Sequence, residues 1–229
     1  MRRFGFVFLG LLFSVSLPTQ NLVCYSYDSI SRGGAGLADA GKIFLGNFYL
    51  DENKSFFEQV GEGISRHTWQ APQQAIGYFW SSARNAVGAT DRVDYLGGAT
   101  FVTNENSDGS GISFGSFLNI NDTKVVTGSF DNYATHNPLY MHEYGHYIDS
   151  QSFGLGYLPI IGLPSAISAA RQETELMPDG KSCSVHRSYW TETRANNNAA
   201  VYFARHYNVN WETDTFAGTD IPFIYYYPL

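Results

Sequence analysis

The chain has 229 residues, 44% of them hydrophobic and 16% aromatic, enough to bury a sizeable core in one domain with appendages. A formal net charge of -7 speaks against a nucleic-acid partner, and the absence of a Lys/Arg run speaks against docking on an anionic membrane. Only Cys24 and Cys183 are available, so a disulfide framework is excluded, at most one bridge can form in an exported chain, and no CxxC pair exists for a Cys-type structural zinc site.

The N-terminus has the layout of a secretory signal peptide. "MRR" supplies positive charge, "FGFVFLGLLFSVSL" is uncharged and apolar through Leu17, and the next charge is Asp28. The small-residue rule allows cleavage after Ser16 or Ser26, so residues 1–26 are assigned to the signal. The apolar run of 14 residues is short of the roughly 20 that span a bilayer. Export to the periplasm, cell surface or medium is expected; an uncleaved segment would instead tether the protein to a membrane.

Residues 27–42, "YDSISRGGAGLADAGK", are rich in Gly and small side chains and read as a lead-in loop, with one domain over 43–229. Two helices are predicted next, "SFFEQVGEGISRH" capped by Asp51 or Asn53, and "APQQAIGYFWSSARNAVGA" with Pro72 near its start. Three short runs follow, "VDYLGGATFVTN", "GISFGSFLNI" and "KVVTGSF", and predict a small antiparallel sheet of hairpins. The fold class expected is therefore α+β.

Residues 142–146 read "HEYGH". With 6 His and 9 Glu in the chain, His-Glu-x-x-His arises by random placement only roughly 0.006 times. On a helix, His142 and His146 share one face and can reach a single ion. Asn137 suits the N-cap, Pro138 the first helical position and Gly154 the C-cap. Gly145 costs about 1 kcal/mol relative to Ala inside a helix, a cost that fits a close backbone approach. The uncharged stretch 150–170 contains Pro159 and Pro164 and reads as a buried loop followed by a short helix.

Catalytic zinc needs a third protein ligand and an open position. In "YWTETRANNNAAVYFARHY", Glu192, Asn196, Ala199 and Phe203 fall on one helical face, which makes Glu192 the preferred ligand. Asp149 lies a turn beyond the ion, and His186 could complete a three-His site but sits on no predicted rigid element. The spacing of HEYGH and Glu192-x-x-x-Asn196 resembles the gluzincin group of zinc metallopeptidases. That resemblance implies a zincin-like fold, with Zn²⁺ on His142, His146 and Glu192, and gives Asn196 the place of an Asp that orients a ligand His. Asn accepts the same hydrogen bond without adding charge. Glu143 is then the general base, and His186 the candidate oxyanion donor. The strand "FGSFLNI" is expected to offer an edge to a peptide substrate.

From "FLGNFYL" through "HEYGHYIDSQSFG" and "GYLPIIGLPS" to "TETRANNNAAVYF", residues 43 to about 207 are also similar to a domain of Bacteroidota proteins, often found at the end of large Rhs/YD-repeat chains. The expected function is an exported zinc metallohydrolase acting on peptides or proteins. Two alternatives stand beside it: a non-catalytic zinc-stabilised surface or binding module, and an Rhs-associated toxin-like domain. Substrate and oligomeric state are not legible.

Overall fold

Gly97 and Gly98, with φ of 55° and 79°, reverse the chain between β1 (Arg92–Leu96) and β2 (Ala99–Asn104), as a two-residue type I′ hairpin demands. Gly115, φ 58°, and Ser116 reverse the chain between β3 (Ser110–Phe114) and β4 (Phe117–Asn121), with the positive φ at the first central residue that a type II′ turn requires. These turns belong to a computed structural model that describes residues 22–171, 174–176 and 182–210, with side chains placed for 34–171, 174, 185, 186 and 189–210. The expected signal residues 1–21 lie outside the described residues, as do the side chains of Cys24 and Cys183.

The fold is α+β with a four-stranded sheet in the order β1-β2-β4-β3. The sheet is mixed, which corrects the antiparallel expectation: both hairpins are antiparallel, but β2 and β4 pair in parallel. The reason is burial. β4 carries Phe117, Leu118 and Ile120, all fully buried, and gains most from an interior place. β3, "SGISF", exposes its first three residues and suits the edge. The run "KVVTGSF" is no strand; Phe130 begins the short α4 (Phe130–Thr135).

Side chains alternate across the sheet as the pleat requires. Leu96, Phe101, Leu118 and Ile120 face the larger core cluster, and Val93, Val102 and Phe117 face the smaller one. On the first face lie α5 (Pro138–Phe153) and α7 (Trp190–Tyr207), contributing Tyr140, Met141, Tyr144, Tyr147, Ala199 and Phe203. On the second lie α3 (Ala71–Ala86) and the later part of α1 (Leu22–Gly46), with Tyr78 and Ile43. A second pair of strands, β5 (Thr174–Leu176) and β6 (Ser182–Ser184), follows α6 (Leu163–Arg171).

Residues 27–42 are thus helical, contrary to the expected loop. Tertiary contacts outweigh the low propensity of the glycines: Ile43 is fully buried, Asn85 Nδ2 donates to Gly36 O at 2.7 Å, and Tyr95 OH donates to Lys42 O at 2.6 Å. The helix α2 (Phe56–His67) is capped by Ser55, whose backbone N donates to Glu58 Oε2 at 2.8 Å in a capping box, rather than by Asp51 or Asn53. Arg66 on α2 is fully buried and donates to Gly46 O, Tyr49 O, Gly98 O, Glu62 and, at 2.9 Å, Tyr147 OH, so one guanidinium ties α1, α2, the β1–β2 turn and α5 together. Among the described residues no single helix is long and apolar enough to cross a membrane; the pair Pro138–Gly156 and Leu158–Arg171 passes by length and composition but is bent by 118°.

Candidate metal centre

The site is built where α5 and α7 touch. Asn137 Oδ1 accepts from Leu139 N at 3.0 Å, Pro138 follows, and Gly154 closes α5 with a positive φ, as the sequence predicts. Gly145 lets the two backbones meet: a Cβ there would lie 1.9 Å from Ala195 O of α7. This contact turns the Glu192 face of α7 toward the histidine face of α5.

His142, His146 and Glu192 each offer one ligand atom, all within 4.8 Å of one another. Glu192 Oε2 lies 3.1 Å from His142 Nε2 and 3.3 Å from His146 Nε2, and the two imidazole planes stand at 87°. Bonds of about 2.0–2.1 Å at tetrahedral angles separate neighbouring zinc ligands by about 3.3–3.4 Å, so these spacings fit a shared ion. The other oxygen of Glu192 is already satisfied: Oε1 accepts from Ser165 Oγ at 2.6 Å and Thr191 Oγ1 at 2.8 Å. Oε2 is therefore the atom left for a cation.

Asn196, one turn after Glu192, places Oδ1 2.8 Å from His142 Nδ1. An amide oxygen can only accept, so Nδ1 carries a proton, and Nε2 is the atom turned toward the cluster. His142 is 22% exposed by side chain, against 8% for His146 and 5% for Glu192, which puts the open side of the site at His142.

The electrostatics match a place built for positive charge. Burial opposes a charge on His142, but the hydrogen bond to Glu192 and the charges of Glu143 and Glu192 overcome it and raise its pKa to about 9. Burial likewise pushes the Glu192 carboxyl up, while hydrogen bonds from His142 and His146 and the charges of both hold it well below the carboxylate range. The donor set, two imidazoles and a carboxylate, is one that can hold a metal ion.

Glu143 points to the edge strand. Ser113 Oγ of β3 donates to Glu143 Oε2 at 2.6 Å, and a Cβ on Gly111 would fall 2.3 Å from Glu143 Oε1. Tyr157 OH donates to Ser113 O at 3.1 Å. Of the strand expected to bind substrate, "FGSFLNI", the β4 part is paired on both sides, so the edge that faces Glu143 is β3. His186 sits on the short 3₁₀ turn Val185–Ser188 with Nε2 3.7 Å from Glu192 Oε2, at the rim of the cluster rather than within it. Asp149 does not join the ligand atoms; its Oδ1 accepts from Arg194 Nε and Asn198 Nδ2, each at 2.7 Å.

Ser113, Ser165 and Tyr157 are the contributors that sequence reasoning missed. Serines in apolar runs carry no spacing signal, and only Thr191, adjacent to Glu192, could have been suspected. Comparison of the chain with family models, with curated proteins and with solved structures finds no match.

Proposed function

We propose that this chain is an exported, gluzincin-like zinc metallohydrolase that cleaves peptide bonds. The observation that carries the reading is the approach of His142 Nε2 and His146 Nε2 to Glu192 Oε2, three candidate ligands among the described residues, with Glu143 of the histidine helix held beside them by the edge strand. When bound, zinc would polarise a scissile carbonyl and bring the pKa of a coordinated water to about 7.

The chain's own residues account for the rest. Ser113 holds Glu143 Oε2, which leaves Oε1 to take a proton from the attacking water. As the water oxygen bonds to the carbonyl carbon, the C–N bond breaks and Glu143 delivers that proton to the leaving amine. His186 Nε2, at the rim, is placed to donate to the oxyanion.

β3 supports a peptide substrate. Its hairpin closes on the pair Phe114 and Phe117, so Gly111 and Ser113 turn their backbone groups away from β4. Tyr157 takes the Ser113 carbonyl, and Gly111 keeps both groups for a strand laid along the edge. The lack of a side chain at Gly111 also lets the Glu143 carboxylate lie against the strand.

The test is to incubate the mature protein with a denatured proteome, alongside Glu143→Gln, and read new peptide termini by mass spectrometry. Glu143→Gln should keep zinc and fold but lower cleavage by a factor of about 100 or more. Zinc at one per chain with no new termini from either form would favour a non-catalytic zinc module, and new termini at equal rates would exclude Glu143 as the base.

A further inference from the structure

Two polar atoms in the interior lack a hydrogen-bond partner and face each other. His146 Nδ1 and Asp149 Oδ2 are both buried and unsatisfied, and they lie 3.9 Å apart, one helical turn from each other on α5. That distance is beyond a hydrogen bond, but a shift of about 0.7 Å in either group brings it within 3.2 Å. Asp149 is fully buried and its other oxygen is clamped by Arg194 and Asn198, so the carboxylate presents Oδ2 toward the ring.

We propose that Asp149 is the positioning residue of His146: its carboxylate accepts from Nδ1–H and fixes the imidazole with Nε2 directed at the ligand cluster. The inference rests on the metal reading above. A carboxylate behind a ligand imidazole fixes the tautomer and raises the basicity of the ligating nitrogen. His142 receives only a neutral amide from Asn196, so the negative charge missing behind one histidine stands behind the other. Both supports depend on α7. The stripe Glu192–Asn196 provides a ligand and the partner of His142, and the neighbouring stripe Arg194–Asn198 holds the partner of His146.

The variant Asp149→Asn separates this role from packing. Arg194 and Asn198 are donors and demand an oxygen, so the new amide must turn its NH₂ toward His146 Nδ1. That orientation favours the tautomer with the proton on Nε2, the wrong one for a ligand. Zinc affinity of the intact mature protein is read by competition with a chromophoric chelator. Asp149→Asn should weaken it about 10- to 100-fold. Ala199→Gly, which loosens the packing between the same two helices but leaves Asp149 and its clamp in place, should change it by less than about threefold.

Equal affinity in Asp149→Asn and wild type would overturn the role of Asp149 while leaving the zinc site in place. Equal weakening in both variants would reduce Asp149 to a packing residue. A wild-type protein that takes up no zinc would remove the metal reading and this inference together. Should Asp149→Asn fail to fold, the zinc-loaded wild type still decides: a long-range ¹H–¹⁵N spectrum should show the Nδ1 proton of His146 shifted downfield and slow to exchange, as one held by a carboxylate is, and a fast-exchanging Nδ1 proton would refute the proposal.

Discussion

On one face of the sheet Phe101, Leu118 and Ile120 meet Tyr140, Met141 and Tyr144 in a core that is almost wholly apolar. On the other face the apolar cluster is Ile43, Val93, Val102, Phe117 and the half-buried Tyr78, and much of the contact is polar. There Gln74 brackets the β3–β4 turn, donating to Ser116 Oγ and accepting from Ser116 N, each at 2.9 Å, and Ser81 donates to Asn119 Oδ1 at 3.0 Å. The outer sides of α2 and α3 expose Phe56, Phe57, Ile64 and Phe79. The difference teaches where rigidity is needed: the candidate ligands stand on the densely packed face, where helix positions are held by many dispersion contacts. The opposite face is aligned by a few directional hydrogen bonds.

Arg66 reaches both, and removing it should have the largest effect. Arg66→Ala leaves the buried Glu62 without its guanidinium partner and is expected to lower stability by about 3–5 kcal/mol in urea denaturation. Burial pushes the Glu62 carboxyl up, but Arg66, Lys54 and Tyr147 hold it below its ordinary value of 4.5. The folded pKa is depressed, so the stabilisation is present above pH 4.5 and is lost as pH falls through the folded value. In Arg66→Ala the largest lowering contribution is gone, so the residual stability should begin to fall at a higher pH than in wild type. Identical acid profiles would show that Glu62 is not stabilised by Arg66.

Gly145→Ala tests the site face alone. Its Cβ cannot coexist with Ala195 O, so α5 and α7 must separate, at about 1–3 kcal/mol. Because Glu192 travels with α7, zinc affinity should fall at least about tenfold, as expected when the groups that orient ligands are disturbed. A stability loss with unchanged affinity would mean that the contact only packs.

Ser81→Ala should be the mildest. Asn119 Nδ2 already lacks a partner, so the change leaves the whole amide unpaired and costs about 1–2 kcal/mol. Zinc affinity should not move, because the change is confined to the far face of the sheet. A change in affinity would break the separation between the two faces.

Local signals were strong enough to be read directly. The bounds of α5 follow from Asn137, Pro138 and Gly154, and the shared face of His142 and His146 follows from helical period alone. Glu192 with Asn196 was legible for the same reason, a single helix and a single stripe. The glycine in HEYGH correctly announced a backbone contact, although not with which helix.

What lay beyond the sequence depended on which elements meet. The parallel pairing of β2 with β4 is a choice among registers that hairpin signals leave open, made by the burial of Leu118 and Ile120. The lead-in became helix because Asn85 and Tyr95, some 50 residues away, satisfy and cover it. Ser113 on Glu143, Ser165 on Glu192 and the facing atoms of His146 and Asp149 arise only once β3, α6 and α7 are placed around α5. Periodicity assigns a residue to a face of its own element; only tertiary packing determines what that face meets.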